Sequence, residues 1–358
     1  MDKEIITIGF HLTNVTGLGA VRLMQSLLPA LQKCNYIFNI AYIPDKGELS
    51  NDSLYVQSII IKKYKRYLLQ FISRFLECSL FGSLFNKSSH LFVFGDIPLR
   101  TNSKQIVFFH SPTIVFDISE KFNLLHYLKL LISKYLLIHN SKFVCYFIVQ
   151  TEVMKLGLLN LIPDFKNKIL VINQPPPHWI ISSRLARSNR ITSNAKLTFF
   201  YPAAFYPHKN HNILNNIKID DTFIEKIILT IPSELNPIPN SPIIECTNLI
   251  SPDGIIEYYK KADALMFLSS TESYGLPLVE AMWLGLPIIC PDLPYARILC
   301  GNNAIYFDID NPISLNDSIS LLAHKFNNGW WPDWSENLKN IPSNWDEVAH
   351  NIFKSMPK

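Results

Sequence analysis

The sequence predicts two doubly wound α/β domains, each a parallel sheet with helices on both faces. Three observations support this fold class. The 358 residues correspond to about two domains at the usual ~150 residues each. Short apolar runs typical of buried parallel strands alternate with helical patterns along the chain. Three consecutive prolines at 175–177 interrupt the alternation, and proline cannot continue a helix or a central strand.

The first half opens as a βαβ unit. A β-branched strand at residues 5–10 is followed by a glycine-containing loop at 16–19 and a helical pattern at 20–31. Further strand-like runs are residues 36–43, 91–94, 106–109 and 143–149, and further helical patterns are residues 64–80 and 123–139. We therefore predict a first Rossmann-like domain at residues 1–175.

The second half repeats the alternation. Its strand-like runs are residues 197–201, 226–231, 264–269 and 286–290. Residues 176–342 are therefore predicted to form a second Rossmann-like domain. An amphipathic helix is predicted at 344–356, because Ser343 and Asn344 both suit a helix N-cap. We expect this last segment, residues 343–358, to pack back towards the first domain.

Composition excludes several classes of protein. Apolar residues make up 48% of the chain, too many for a disordered protein. The net charge of +4 gives no reason to expect a nucleic-acid partner. The six scattered cysteines contain no CxxC pair and are interpreted as reduced thiols. No signal-peptide pattern and no apolar run of ~18–20 residues is found, so we expect a cytoplasmic protein.

The strongest functional signal is a strand, loop and helix in the second half. A strand at 265–269 leads into a tight loop, and the next helix has Pro277 in its first turn and ends at Gly285. Ligands of parallel sheets bind beyond the carboxyl ends of the strands. The N–H groups at Gly275 and Leu276, together with the helix dipole, favour an anion such as a diphosphate there.

Two glutamates belong to the same segment. Glu280 is predicted to lie in the first helical turn, where a carboxylate repels phosphate and is better suited to accept two ribose hydroxyls. Glu272 precedes the helix and can accept hydroxyls from another part of the ligand. Each also has a simpler interpretation, Glu272 as a surface loop residue and Glu280 as an acid that stabilises the helix dipole.

Residues 272–282, Glu-Ser-Tyr-Gly-Leu-Pro-Leu-Val-Glu-Ala-Met, resemble the EX7E element of the family 4 glycosyltransferases, retaining enzymes with the GT-B fold. Residues 258–264 and 285–289 also resemble the family. The resemblance implies a GT-B architecture, two Rossmann-like domains facing a cleft. It implies that Glu280 binds the donor ribose and Glu272 the donor sugar. The donor-binding set also includes Tyr274, Gly275 and Leu276, of which the last two hold the diphosphate through their backbone.

Residues 201–211 resemble the family segment that supplies a basic residue to the donor phosphates. This implies that Lys209 stabilises the leaving diphosphate. Many family members carry an arginine a few residues earlier, but residues 203–205 contain none, and His208 or Arg22 are the candidates to replace it. The alternative interpretation of Lys209 is an exposed lysine at a helix start.

Two positions in the first half also resemble the family. The loop with Gly19 resembles one that approaches the donor diphosphate, and an ordinary glycine turn is the alternative. His110 resembles a histidine close to the transferred sugar, and a satisfied core histidine is the alternative. The predicted catalytic residues are therefore His110, Lys209 and Glu272, and Gly19 and Lys209 join the donor-binding set.

The predicted function is a glycosyltransferase that moves a sugar with retention from a GDP-, UDP- or dTDP-linked donor to a saccharide or lipid-linked oligosaccharide. The resemblance implies bacterial surface-polysaccharide synthesis of the O-antigen or capsule type, without cofactor or metal. The alternative is a catalytically inactive GT-B binding or scaffold protein, which the missing arginine motivates. A nicotinamide dehydrogenase is excluded because the glycine fingerprint is incomplete.

Two helical patterns of the first half predict peripheral contact with an anionic membrane. Residues 64–80 and 124–137 combine apolar stripes with basic residues, namely Lys62, Lys63, Lys65, Arg66, Arg74, Lys129 and Lys134. Such helices bind at the interface of anionic membranes, here the inner face of the cytoplasmic membrane. The alternative is that the stripes belong to the core and the basic residues form a solvated face.

Overall fold

The computed structural model describes residues 6–15, 17–65, 70–116, 124–186, 196–218 and 223–355. Its contacts divide the chain into two compact units. The first unit contains the described residues up to Gln174 and those from Ser343 onward, and the second unit is Pro175–Pro342. Each unit is built on one parallel sheet, so the prediction of two doubly wound α/β domains is confirmed.

The first unit has seven parallel strands. They are β1 (Thr7–His11), β2 (Ile37–Pro44), β3 (Ile60–Tyr64), β4 (His90–Val93), β5 (Lys104–Phe108), β6 (Val144–Val149) and β7 (Ile169–Val171). Their order is β3-β2-β1-β4-β5-β6-β7, and every neighbouring pair is parallel. The direction of progression along the sheet changes between β1 and β4, and such switch points open a crevice at the carboxyl ends of the strands.

Five helices connect these strands. They are α1 (Leu18–Gln32), α2 (Gln70–Cys78), α3 (Pro112–Val115), α4 (Leu124–Asn140) and α5 (Glu152–Leu161). The Thr151 side chain caps α5 by accepting the Met154 N–H. Apolar strand residues such as Phe10, Phe92 and Phe147 are fully buried, as the two-sided cover of a doubly wound sheet requires.

The described residues of the second unit form six parallel strands. They are β8 (Leu197–Tyr201), β9 (Ile224–Leu229), β10 (Ile244–Cys246), β11 (Ala264–Met266), β12 (Ile288–Pro291) and β13 (Ile305–Phe307), in the order β10-β9-β8-β11-β12-β13. Its helices are α6 (His178–Ser183), α7 (Pro252–Lys261), α8 (Leu276–Leu284), α9 (Pro294–Cys300), α10 (Ser314–Asn327) and α11 (Ser335–Leu338). The switch point lies between β8 and β11, which brings together the loops that follow these two strands.

The C-terminal helix α12 (Trp345–Lys354) belongs to the first unit and packs against α1. The Asn344 side chain starts it by accepting the Glu347 N–H. The ring of Phe353 stacks on Tyr36 with centroids 4.2 Å apart. The last segment therefore packs against the core of the first unit.

The structure corrects one predicted helix. Residue Tyr64, predicted to begin a helix, ends strand β3, which pairs with β2 at the edge of the sheet. Within the described residues the next helix, α2, begins at Gln70. Arg66 lies outside the described residues. Pairing with a neighbouring strand overrides the local periodicity at this position. All six cysteines are free thiols.

Candidate functional site

The N-terminus of α8 lies in the loop region beyond the carboxyl end of β11. Gly275 precedes the helix with a φ of +93°, in the left-handed region that favours glycine. A Cβ at this position would lie 3.1 Å from the Leu278 side chain, so space also favours glycine. Leu276 and Pro277 start the helix, and Gly285 follows its end. The first N–H groups of a helix lack partners within it, so this end can donate hydrogen bonds to an anion.

Lys209 and Glu272 meet in the loops that follow β8 and β11. The Lys209 Nζ lies 2.5 Å from the Glu272 Oε1, and the two side chains are 17% and 14% exposed. The pair is therefore largely buried but not sealed from solvent. The structure brings together two residues that the sequence analysis selected separately.

Hydrogen bonds tie these two loops together. Ser270 donates to the His208 carbonyl from its backbone N–H at 2.8 Å and from its hydroxyl at 3.1 Å. The buried Tyr201 hydroxyl donates to the Lys209 carbonyl at 2.8 Å and lies 2.9 Å from the Ser269 hydroxyl. Burial raises the pKa of Tyr201, which keeps its proton on the hydroxyl. The sequence analysis missed Tyr201 and Ser269 because periodicity shows only that they end strands.

Glu280 lies in the second turn of α8, so its predicted place in the first turn is wrong. The helix begins four residues earlier at Leu276, and its first turn contains no acidic residue. Glu280 is only 8% exposed, and the Tyr259 hydroxyl of α7 donates to its Oε2 at 2.6 Å. Burial raises the pKa of Glu280 to about 7, although the bond from Tyr259 favours the ionised form. The simpler interpretation as a helix-dipole acid is therefore also wrong.

The other predicted positions of the second unit lie near this pair. His208 is adjacent to Lys209, and its ring stacks on Tyr206 at an interplanar angle of 5°. Tyr274 is buried in the core of the unit, which anchors the loop ahead of Gly275. The second candidate to replace the missing arginine, Arg22, belongs to α1 of the first unit and lies 3.0 Å from Glu48.

In the first unit, His110 follows β5 and is 24% exposed, so it is not a core histidine. Its backbone N–H donates to the Asp96 Oδ1 at 2.7 Å, and its Nδ1 lies 3.4 Å from the same oxygen. Gly19 lies in the first turn of α1, where an added Cβ would meet no described atom within 4 Å. Local packing among the described residues therefore does not require glycine at this position.

A buried charged cluster in the first unit was missed. The Arg74 guanidinium lies 3.0 Å from the Glu77 Oε2, and Glu77 also bonds His11 and Thr13. Burial alone raises the pKa of Glu77, but the charge of Arg74 and the bonds from His11 and Thr13 outweigh it and hold that pKa well below its usual range. Arg74, predicted on a basic surface, is only 6% exposed. The i,i+3 spacing of Arg74 and Glu77 was the available signal.

Helix α4 presents many apolar side chains to solvent. The exposed ones are Leu125, Tyr127, Leu128, Leu131, Tyr135 and Ile138. Helix α2 packs beside α4, and exposed apolar residues on and after it are Ile72, Phe75, Leu80, Phe81 and Leu84. The interpretation that both stripes belong wholly to the core is therefore wrong. None of the helices in the described ranges has the length and apolarity needed to span a membrane.

Metal binding has no visible donor set in the part of the chain that the structure describes. There, no group of three or more His, Cys, Asp or Glu side chains is arranged to hold an ion. That the protein works without metal or cofactor stays a prediction.

Comparison with known sequences gives a local match. Residues 244–326 match the family "Glycosyl transferases group 1". The chain is 30% identical over 108 residues to the serotype-specific mannosyltransferase WbdA of Escherichia coli, which covers 30% of this chain and 13% of WbdA. It is 25% identical over 182 residues to the O-antigen chain mannosyltransferase RfbU of Salmonella typhimurium, covering 46% of this chain and 52% of RfbU. The chain thus spans only part of these relatives.

Comparison with solved structures covers nearly the whole chain. Sucrose-phosphate synthase of Thermosynechococcus elongatus has a TM-score of 0.68 at 12% identity, covering 98% of both chains. Anabaena HepE in complex with UDP-glucose scores 0.65 at 11% identity, covering 98% of this chain and 100% of HepE. WaaG, a glycosyltransferase involved in lipopolysaccharide biosynthesis, scores 0.66 at 11% identity, covering 98% and 95%. These likenesses confirm the predicted GT-B fold.

Proposed function

We propose that the protein is a glycosyltransferase that moves a sugar, with retention, from a nucleotide-sugar donor to a saccharide or lipid-linked saccharide in O-antigen-like polysaccharide synthesis. The Lys209–Glu272 pair at the β8/β11 switch point carries the proposal. It places a cation and a hydroxyl acceptor in the same loop region as the N-terminus of α8. The names of WbdA, RfbU and WaaG support the pathway, and the match at 244–326 supports the reaction class.

Each residue of the site has a role that its chemistry fits. The backbone at Gly275 and Leu276 holds the diphosphate, and Lys209 stabilises the negative charge that develops as the diphosphate leaves. A carboxylate offers two oxygens, so Glu272 can keep Lys209 on one and accept a sugar hydroxyl on the other. Glu280 uses Oε2 for Tyr259, which leaves Oε1 for a ribose hydroxyl.

The donor test is a panel of GDP-, UDP- and dTDP-sugars, beginning with a mannosyl nucleotide because WbdA and RfbU are named mannosyltransferases. Lys209→Ala is expected to lower kcat by about 10²–10³-fold, since it removes charge stabilisation from the transition state. Glu280→Gln is expected to raise the donor KM about tenfold. Product NMR determines whether the anomeric configuration is retained.

The matched control is Glu257→Gln, which changes an exposed glutamate of α7 that pairs only with Lys260 among the ion pairs of the described residues. It is expected to leave kcat and KM unchanged. Unchanged turnover and KM in Glu280→Gln would contradict the ribose role. Donor binding without transfer by the wild-type protein would favour the inactive binding protein that the missing arginine at 203–205 suggested.

We also propose that the exposed face of α4 docks on an anionic lipid surface on the cytoplasmic side of the membrane. The charge on the helix argues for this occupant: α4 contains Lys129 and Lys134 but no acidic residue, and the exposed Lys142 follows it. Exposed apolar residues flanked by lysines bind where headgroups are anionic. The surface belongs to the first unit, where we propose that the acceptor binds, so a lipid-linked saccharide would reach its site from the membrane.

Co-sedimentation with phosphatidylcholine vesicles, with and without phosphatidylglycerol, tests the docking. Binding is expected only with phosphatidylglycerol, and salt should weaken it. Leu128→Glu combined with Leu131→Glu should abolish binding, whereas Leu249→Glu, at an exposed leucine of the second unit, should not. Equal binding to neutral vesicles, or a dimer of the chain that the double variant dissociates, would contradict a lipid partner.

A further inference from the structure

The turn after β4 holds Asp96 in an unusual backbone conformation. Its φ is +66°, in the left-handed region that costs a non-glycine residue free energy. From this position its Oδ1 accepts the His110 backbone N–H at 2.7 Å and lies 3.4 Å from the His110 Nδ1. One carboxylate oxygen therefore contacts both the backbone and the ring of a predicted catalytic residue.

Arg74 fixes this turn from the buried side. Its Nη2 donates to the Gly95 carbonyl at 3.1 Å and to the Ile97 carbonyl at 3.0 Å, the two residues that flank Asp96. A Cβ at Gly95 would lie 2.9 Å from that same Nη2. The guanidinium therefore occupies the space that a side chain at position 95 would need, and it clamps the turn on both sides of Asp96.

The clamp is itself held in place. Arg74 Nη1 lies 3.0 Å from the Glu77 Oε2, while Glu77 Oε1 accepts from Thr13 and lies 2.9 Å from the His11 Nε2. Buried ion pairs of this kind add little net stability, because desolvation of the charges offsets their attraction. Stability alone is therefore a weak reason for the cluster, and a fixed position for the turn is a better one.

We propose that Asp96 is a positioning residue for His110, and that Arg74 sets the turn that aims it. The proposal rests on the proposed function and on the place close to the transferred sugar that the family resemblance implies for His110. A carboxylate beside Nδ1 favours the tautomer with the proton on Nδ1. Nε2 is then left as the acceptor nitrogen, available to a sugar hydroxyl.

The tautomer is measured by ¹⁵N NMR of the imidazole nitrogens, with the His110 signals identified by their loss in His110→Ala. Wild-type protein should show mainly the Nδ1–H form. Asp96→Asn keeps an oxygen for the backbone N–H but removes the charge, and should weaken the preference. Asp96→Gly removes the oxygen and the charge, so the preference for the Nδ1–H tautomer should be lost. Glycine and asparagine both tolerate a positive φ, so both variants retain the turn. Asp164→Asn, at an exposed aspartate before β7, is the control.

Transfer assays supply the second readout. Asp96→Gly is expected to lower kcat about 10²-fold and Asp96→Asn less, with the donor KM nearly constant, because misplacement of a reacting group affects the chemical step. An Asp96→Gly protein with the wild-type tautomer ratio overturns the proposal. A wild-type enzyme that transfers no sugar defeats the proposed function, while the tautomer measurement still decides the role of Asp96. Transfer with unchanged kcat in Asp96→Gly defeats the positioning role alone.

Discussion

Two buried glutamates, one in each unit, have pKa values that their surroundings shift in opposite directions. Glu77 of the first unit is fully buried with a guanidinium, an imidazole and a hydroxyl on its two oxygens. Glu280 of the second unit is 8% exposed, and its Oε2 accepts a hydrogen bond from the Tyr259 hydroxyl. The pKa of Glu77 lies well below its usual range, whereas burial raises the pKa of Glu280 to about 7.

Under the proposed function, the difference separates a structural carboxylate from one that would bind a ligand. A buried carboxylate needs several hydrogen bonds or a cation to stay ionised. Glu77 receives them from the protein, so nothing is left for a ligand to supply. Among the described residues, Glu280 receives one neutral side-chain donor, the Tyr259 hydroxyl, so ribose hydroxyls would complete its hydrogen bonding. By the same criterion the accessible Lys209–Glu272 pair can exchange partners and the sealed Arg74–Glu77 pair cannot.

The largest expected effect comes from removing the cation of the sealed pair. Arg74→Met leaves Glu77 buried without its counter-charge, and we expect a loss of about 3–5 kcal/mol in the stability of the first unit. Hydrogen exchange followed by mass spectrometry measures this separately for peptides of the two units, and protection in the second unit should not change. Lys260→Met is the matched control, since Glu257–Lys260 is also an i,i+3 helical pair but is about half exposed. It should cost less than ~1 kcal/mol.

A double variant shows whether the unpaired charge is the cause. Arg74→Met combined with Glu77→Gln removes both charges but keeps an oxygen for His11 and Thr13, and it should recover part of the lost stability, because no unpaired charge is left in the core. A single variant no worse than Lys260→Met would mean that Glu77 does not depend on Arg74. It would also remove the contrast with Glu280.

The sheets were predictable from sequence because their central strands are continuous apolar runs, such as Phe92 in β4 and Leu265 in β11. The strands that were missed lie at or near sheet edges. Three of them, β7, β10 and β13, have only three residues each, too few for a periodic signal. The fourth, β3, contains Lys62 and Lys63 and forms because β2 offers it a partner. Tertiary pairing of this kind is invisible in a local pattern.

The candidate site was predictable only as separate segments. Resemblance selected Lys209 and Glu272, but their contact depends on β8 lying beside β11, which the order of elements along the chain does not state. Glu280 was misplaced by one turn because the helix begins at Leu276 and directs the carboxyl towards α7. Arg74 was assigned to the surface because basic residues precede it in sequence. Its buried partners are Glu77 of the same helix and two carbonyls of the turn after β4.

The smaller expected effect is a pH dependence that belongs to Glu280. In the folded protein its pKa is about 7, against the ordinary value of 4.5, so the folded state holds a proton that the unfolded state has released. Its contribution to stability is therefore complete below pH 4.5 and is lost as pH rises towards 7 and above, by at most about 3 kcal/mol. Glu77, with its lowered pKa, has the opposite sign: its contribution is present above pH 4.5 and is lost as pH falls.

Tryptophan fluorescence is a suitable probe, because five of the six tryptophans belong to the second unit: Trp179, Trp283, Trp330, Trp331 and Trp334. Urea unfolding from pH 4.5 to 8 should show the stability of the wild type falling relative to that of Glu280→Gln, which cannot ionise. The comparison cancels the opposite contributions of His178 and His211, whose pKa values burial lowers. Glu257→Gln should keep the wild-type slope. Identical slopes in Glu280→Gln and wild type would show that Glu280 ionises as freely as an exposed glutamate, and the contrast with Glu77 would then be lost. Saturating nucleotide sugar should also reduce the pH dependence of the difference between wild type and Glu280→Gln, because hydroxyl donors at the carboxyl favour its ionised form.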